Sequence, residues 1–137
     1  MKFLADANVL SEPTKPAPEE RVVAWLRRHE RELALSPIVL GELEYGILLL
    51  PAGKRRTRLR LWFAQGIQRL RLLDFDADTA SAWASLLARL KNKNLAMPIK
   101  DSLIAATALH HGLTIATRNT EDFRNAGVPL FNPFEIV

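Results

Sequence analysis

Fifteen acidic residues are spread over the 137-residue chain, and four of them are placed differently from the rest. Asp6 ends the segment Lys2-Phe3-Leu4-Ala5, which reads as a short buried strand. Its bland explanation is a helix N-cap for the turn over Ala7 to Leu10. Glu42 stands in Ile38-Val39-Leu40-Gly41-Glu42-Leu43, with Ile38 and Gly46 on its own helix face. An acid there is costly to bury without a cation; the alternative is an exposed glutamate in an i,i+4 pair. Gly41 and Gly46 weaken that helix by about 1 kcal/mol each relative to Ala, which suggests close approach of another backbone or of a substrate. Asp101 lies in the first turn of a helix and shares its face with Ile104, Ala105 and Ala108. Compensation of the helix dipole, about 0.3–1 kcal/mol, would also favour an acid there. Asp122 lies five residues past Thr117, in a stretch that enters a short helix, where the same compensation applies. Most of the others have ordinary explanations: Glu19, Glu20, Glu30, Glu32 and Glu44 fall on or beside exposed helix faces, and Asp76 and Asp78 start a helix.

The elements that must position these acids alternate along the chain. Strands are predicted over residues 2–5, 33–36, 71–75 and 113–117, with a small edge strand over 128–131 where Pro129 is tolerable. Between them the spacing predicts helices over 19–31, 37–50, 54–70, 76–92 and 99–111, the last ended by Gly112. The proline-rich stretch Pro13 to Pro18 excludes a helix there. This is an α/β pattern: a short parallel sheet of four to five strands, with helices on both faces. Sites in such sheets form outside the carboxyl ends of the strands. Asp6 and Asp122 follow strands and Glu42 and Asp101 lie early in helices, so all four converge on one edge. Four carboxylates cannot share a small cleft as free anions and require divalent cations. The chain has no cysteine, and His29, His110 and His111 lack ligand spacing, so oxygen ligation favours Mg²⁺ or Mn²⁺ over Zn²⁺. Such an ion is suited to chemistry on a phosphate.

Composition narrows the classes. Hydrophobic residues are 48% and charged residues 25%, values of an ordinary globular chain, so disorder and a disulfide scaffold are excluded. No apolar run approaches a membrane span, and Asp6 comes too early for a signal peptide, so a cytoplasmic protein of one domain is expected. The net charge is +4, and arginine outnumbers lysine 13 to 6. From Tyr45 to Leu73 there is no acid, while Lys54, Arg55, Arg56, Arg58, Arg60, Arg69 and Arg71 are basic. A phosphate backbone would be drawn to that stretch; a solvated helix face is the plainer explanation, and an acidic partner segment a third. Trp25, Trp62 and Trp83 read as core or interface, with Trp62 and Phe63 candidates for a dimer or partner contact.

Four segments in this order then carry a resemblance: Leu4-Ala5-Asp6-Ala7-Asn8-Val9-Leu10-Ser11-Glu12, Ser36 to Gly46, Asp101-Ser102-Leu103-Ile104-Ala105-Ala106-Thr107-Ala108, and Ala116-Thr117-Arg118-Asn119-Thr120-Glu121-Asp122-Phe123. Over essentially its whole length the chain resembles PIN-domain ribonucleases of the VapC/FitB toxin kind, found in type II toxin–antitoxin pairs. The resemblance implies a PIN-domain fold and hydrolysis of RNA phosphodiesters. It places Asp6, Glu42, Asp101 and Asp122 on the acidic metal-binding tetrad. Asp6 and Asp101 would hold the principal Mg²⁺ (Mn²⁺ being possible), with Glu42 and Asp122 completing the cluster. Asn8, Thr117 and Asn119 fall on polar positions beside it, and Arg118 would contact phosphate directly. A cognate antitoxin protein and a homodimer are implied as partners. One departure is Ala7, where the family commonly has Thr or Ser. A dehalogenase-type phosphatase would need a second acid at Asn8, and a receiver domain would need a lysine that is not found. The serious alternative is a PIN domain that binds RNA or a protein without cutting.

Overall fold

The computed structural model describes residues 1–135. Five strands form one sheet, parallel throughout: β1 (Phe3–Ala5), β2 (Leu33–Leu35), β3 (Arg71–Leu72), β4 (Thr114–Ala116) and β5 (Leu130–Phe131). Their spatial order is β3-β2-β1-β4-β5. Leu4, Ala5, Ala34 and Ile115 are fully buried, which is why β1 and β2 are apolar at every position rather than alternating. The chain builds outward from β1 through β2 to β3, then returns to the other side with β4. The order therefore reverses between β1 and β4, where Ala5 lies opposite Ala116. That reversal opens a crevice at the carboxyl ends of the two strands.

Among the described residues, seven α-helices connect the strands: α1 (Ala7–Leu10), α2 (Glu20–Arg28), α3 (Pro37–Leu48), α4 (Lys54–Gln65), α5 (Ala77–Asn92), α6 (Ile99–His111) and α7 (Thr120–Phe123). Ser36 caps α3, its Oγ accepting the Val39 amide at 3.1 Å, with Pro37 in the first turn. Asp76 caps α5 by accepting both the amide and the hydroxyl of Thr79 at 2.9 Å. Gly112 ends α6 at φ 66°, a left-handed conformation that favours glycine. α5 and α6 pack against each other, and Trp83 Nε1 donates to Ser102 Oγ at 2.9 Å to join them beside Asp101. Trp25 is buried edge-on against Phe3, with ring centroids 4.9 Å apart.

Several local expectations are corrected. α4 stops at Gln65 rather than near Leu70, because Gly66 breaks it and a tight 3-10 turn over Ile67–Arg69 leads into β3. β3 holds two residues rather than five, although the Leu73 amide still donates to Leu35 at 2.9 Å. Phe63 lies in the core, whereas Trp62 is half-buried. A methyl group built at Gly41 or Gly46 would meet open space, so no other part of the chain approaches either closely. Among the described residues, no helix is long and apolar enough to cross a membrane.

Candidate active site

The crevice between β1 and β4 is organised around one carboxylate. Asp6 immediately follows β1, is 6% exposed, and caps α1 by accepting the Ala7 amide on Oδ1 at 2.9 Å. Its other oxygen, Oδ2, accepts the Thr117 hydroxyl at 2.8 Å and the Asn8 amide group at 3.2 Å. One oxygen therefore caps α1, while the other is held by side chains from both sides of the β1–β4 junction. Thr117 immediately follows β4 and is fully buried. Its Oγ1 also accepts from Asn8 Nδ2 at 3.3 Å and from the Asn119 amide at 3.0 Å. Asn8 Oδ1 accepts the Arg118 amide at 3.0 Å. Asp6, Asn8, Thr117 and Asn119 thus form one network that fixes the carboxylate across a sequence separation of 111 residues. Ala7 contributes its backbone N–H here and no hydroxyl.

The other three acids surround this network from different elements. Asp101, in the first turn of α6, is half-buried. Burial first, then the negative charges of Asp6, Asp122 and Glu42, push its carboxyl from 3.8 up to about 6, against the opposing pull of Lys100. Burial is the larger cause, and the neighbouring carboxylates add to it because they lie within electrostatic reach of Asp101. Glu42 projects from α3, half-buried, and its Oε2 accepts from Lys100 Nζ at 2.9 Å. Its Oε1 is buried and has no hydrogen-bond partner. The hydrogen bond to Glu42 holds the Lys100 ammonium above its usual value, and Asp101 and Asp6 add to that shift. Asp122, in α7, is exposed, with its amide donating to Asn119 at 3.1 Å.

The acids are neighbours, but they are not gathered into a ready cage. Among the described residues, no three acidic or imidazole side chains stand close enough to one point to hold an ion as they are. Asp6 is committed to hydrogen bonds on both oxygens, and Glu42 is paired with Lys100. The Arg118 guanidinium lies over the Phe134 ring, 4.6 Å from its centroid.

Three features go beyond the residues singled out from sequence. Lys100 is the first, although a lysine in the first turn of a helix, beside an acid, is a visible anomaly. Glu12 is the second: it is 4% exposed and accepts the Glu19 amide at 2.8 Å. Burial alone would raise its carboxyl, but the Glu19 amide and the nearby ammonium of Lys15 hold it below its usual value. The third is a groove. A cavity of about 250 Å³ has Asn8 and Glu42 in its wall. It shares Thr14, Leu59 and Trp62 with a second cavity of about 400 Å³ that carries Lys15, Arg55 and Arg58. The acidic edge thus leads along Trp62 to the basic face of α4.

Comparison with known proteins agrees with this architecture. Toxin FitB of Neisseria gonorrhoeae is 42% identical over 136 residues, covering 96% of this chain and 98% of its own. VapC ribonuclease Y4jK of Sinorhizobium fredii is 40% identical over 138 residues, covering 97% and 98%. The crystal structure of FitAcB from Neisseria gonorrhoeae superposes with a TM-score of 0.90 at 40% identity, covering 98% of this chain and 99% of that one. The family model described as PIN domain matches residues 3–129, so the phosphatase and receiver readings fall away, and the chain belongs to the PIN domain family.

Proposed function

We propose that this protein is a metal-dependent endoribonuclease that acts as the toxin of a toxin–antitoxin pair. The observation that carries the reading is the site at the β1–β4 switch point. Asp6 is fixed there by Thr117 and Asn8, and Asp101 is pushed to about 6 by burial and by the charges of Asp6, Asp122 and Glu42. The residues fit a hard divalent cation: the donors are all oxygen, and Glu42 Oε1 is a buried carboxylate oxygen that lacks a partner. Asp6, Glu42, Asp101 and Asp122 would hold Mg²⁺ or Mn²⁺. When bound, the ion lowers the pKa of a coordinated water and offsets charge on the scissile phosphate. The protein's own part is orientation. Thr117 and Asn8 hold one face of the Asp6 carboxylate, and Asn119 is tied to the same hydroxyl.

RNA is supported as substrate by the groove that runs from Asn8 and Glu42 past Trp62 to Lys15, Arg55 and Arg58. Its basic side chains suit a phosphate backbone and its indole suits a stacked base. A VapC ribonuclease and a toxin among the relatives support the activity and an antitoxin partner. The exposed side chains of Tyr45 and Leu48 on α3, of Leu49 just after it and of Leu61 on α4 support a second copy of the chain as a further partner. The reading places the protein in the cytoplasm, with its substrate.

The test is cleavage of total RNA by purified, antitoxin-free protein with Mg²⁺, with Mn²⁺ and with EDTA, alongside Asp6→Ala and Asp101→Ala. Cleavage that requires metal and is lost in both variants is expected. Folded protein that binds RNA but cleaves none under either metal would replace this reading with a binding module.

A further inference from the structure

We propose that Lys100 is a built-in counter-cation for Glu42, and that binding of a divalent ion requires this lysine to let go. The inference rests on the metal reading above and adds a residue to it. Lys100 Nζ reaches Glu42 Oε2 at 2.9 Å, joining the start of α6 to α3 across 58 positions of sequence. The location is electrostatically adverse for a lysine on its own, because the first turn of a helix carries partial positive charge. What holds the ammonium there is therefore the acidic region it faces: Glu42 directly, with Asp101 and Asp6 beside it.

The pair is also built to come apart. The Lys100 side chain is 55% exposed and that of Glu42 is 25% exposed, so release opens no core. The ammonium satisfies only one carboxylate oxygen and leaves Oε1 buried without a partner. A divalent cation at the crevice could engage that carboxylate with more charge, while the flexible four-carbon stem carries the ammonium into solvent. Lys100 then sets the threshold of metal concentration at which the site is loaded, and it keeps Glu42 neutralised below that threshold.

The test is Mn²⁺ binding to the purified full chain, read by titration calorimetry and by the electron paramagnetic resonance signal of free Mn²⁺. Lys100→Met is expected to tighten Mn²⁺ by about two- to fivefold, the size of a partly exposed ion pair that no longer has to be broken. Lys100→Arg retains the charge and is expected to stay near the wild-type affinity. Loss of one positive charge would favour metal in any setting, so the cycle with Glu42→Gln decides the matter. If Lys100 acts through Glu42, Lys100→Met has no effect in the Glu42→Gln background. The same gain in both backgrounds, or no gain in the wild-type background while Mn²⁺ still binds, overturns the proposal and leaves the metal reading standing. No Mn²⁺ binding by the wild-type chain removes both.

Discussion

Asp101→Asn should make the metal-free protein more stable while destroying its activity. In the folded chain the Asp101 carboxyl titrates at about 6, against 3.8 for an unperturbed aspartate, because it is buried among the charges of Asp6, Asp122 and Glu42. The folded state therefore holds the Asp101 proton more tightly than the unfolded state does. Stability falls as pH rises from about 4 to about 6, and the full cost is present above 6. A difference of that size corresponds to about 3 kcal/mol at roughly 1.4 kcal/mol per pKa unit. Asp101 is only half-buried, so solvent screening reduces this to on the order of 1–2 kcal/mol. Asparagine keeps the shape of the side chain and removes the charge. Urea unfolding followed by tryptophan fluorescence in EDTA should show Asp101→Asn more stable by about 1–2 kcal/mol at pH 7.5. The difference should shrink towards zero at pH 4, where wild-type Asp101 is already protonated in the fold. A variant less stable than wild type at pH 7.5, or an equal gain at both pH values, would refute the argument that charge accumulation at this edge strains the metal-free fold.

Two further outcomes follow from the same geometry. Thr117→Val removes the hydroxyl that donates to Asp6 and accepts from Asn8 and Asn119; it should cost about 2 kcal/mol in thermal or urea unfolding and reduce RNA cleavage, whereas Thr117→Ser should retain most of both. Arg55→Ala combined with Arg58→Ala should weaken binding of single-stranded RNA and flatten the slope of log affinity against log salt by about 0.7 for each phosphate no longer neutralised, with the urea midpoint unchanged, since both side chains are exposed.

The architecture is legible because each signal in the sequence is local. Apolar runs at Phe3–Ala5 and Leu33–Leu35, Ser36-Pro37 ahead of α3 and Gly112 after α6 all act within a few residues. Their alternation then leaves a parallel sheet as the economical arrangement. Two kinds of feature are not legible in this way. Helix α4 and strand β3 are shorter than their composition suggests, because composition alone does not say which residue ends an element; Gly66 does so here. The partners of the site acids are invisible for a different reason. Lys100 meets Glu42 and Trp83 meets Ser102 through packing between different elements, and no spacing rule contains such contacts. Arg118 shows the converse. Its position beside the site is plain from the sequence, while the ring of Phe134 that captures its guanidinium lies 16 residues further on.

The pairing of β1 with β4 carries a consequence for how such a chain is made. Asp6 leaves the ribosome early, but the Thr117 hydroxyl that fixes it is encoded 111 residues later. At about 5–20 residues per second, the two are separated by roughly 5–20 s of translation. During that interval the nascent chain can form β1, β2 and their helices, yet the crevice lacks one wall. Parallel pairing across so long a loop is also slow to nucleate once the segment is available. The crevice is thus one of the last features to be completed, and a polypeptide interrupted before β4 carries Asp6, Glu42 and Asp101 without the strand that pairs with β1.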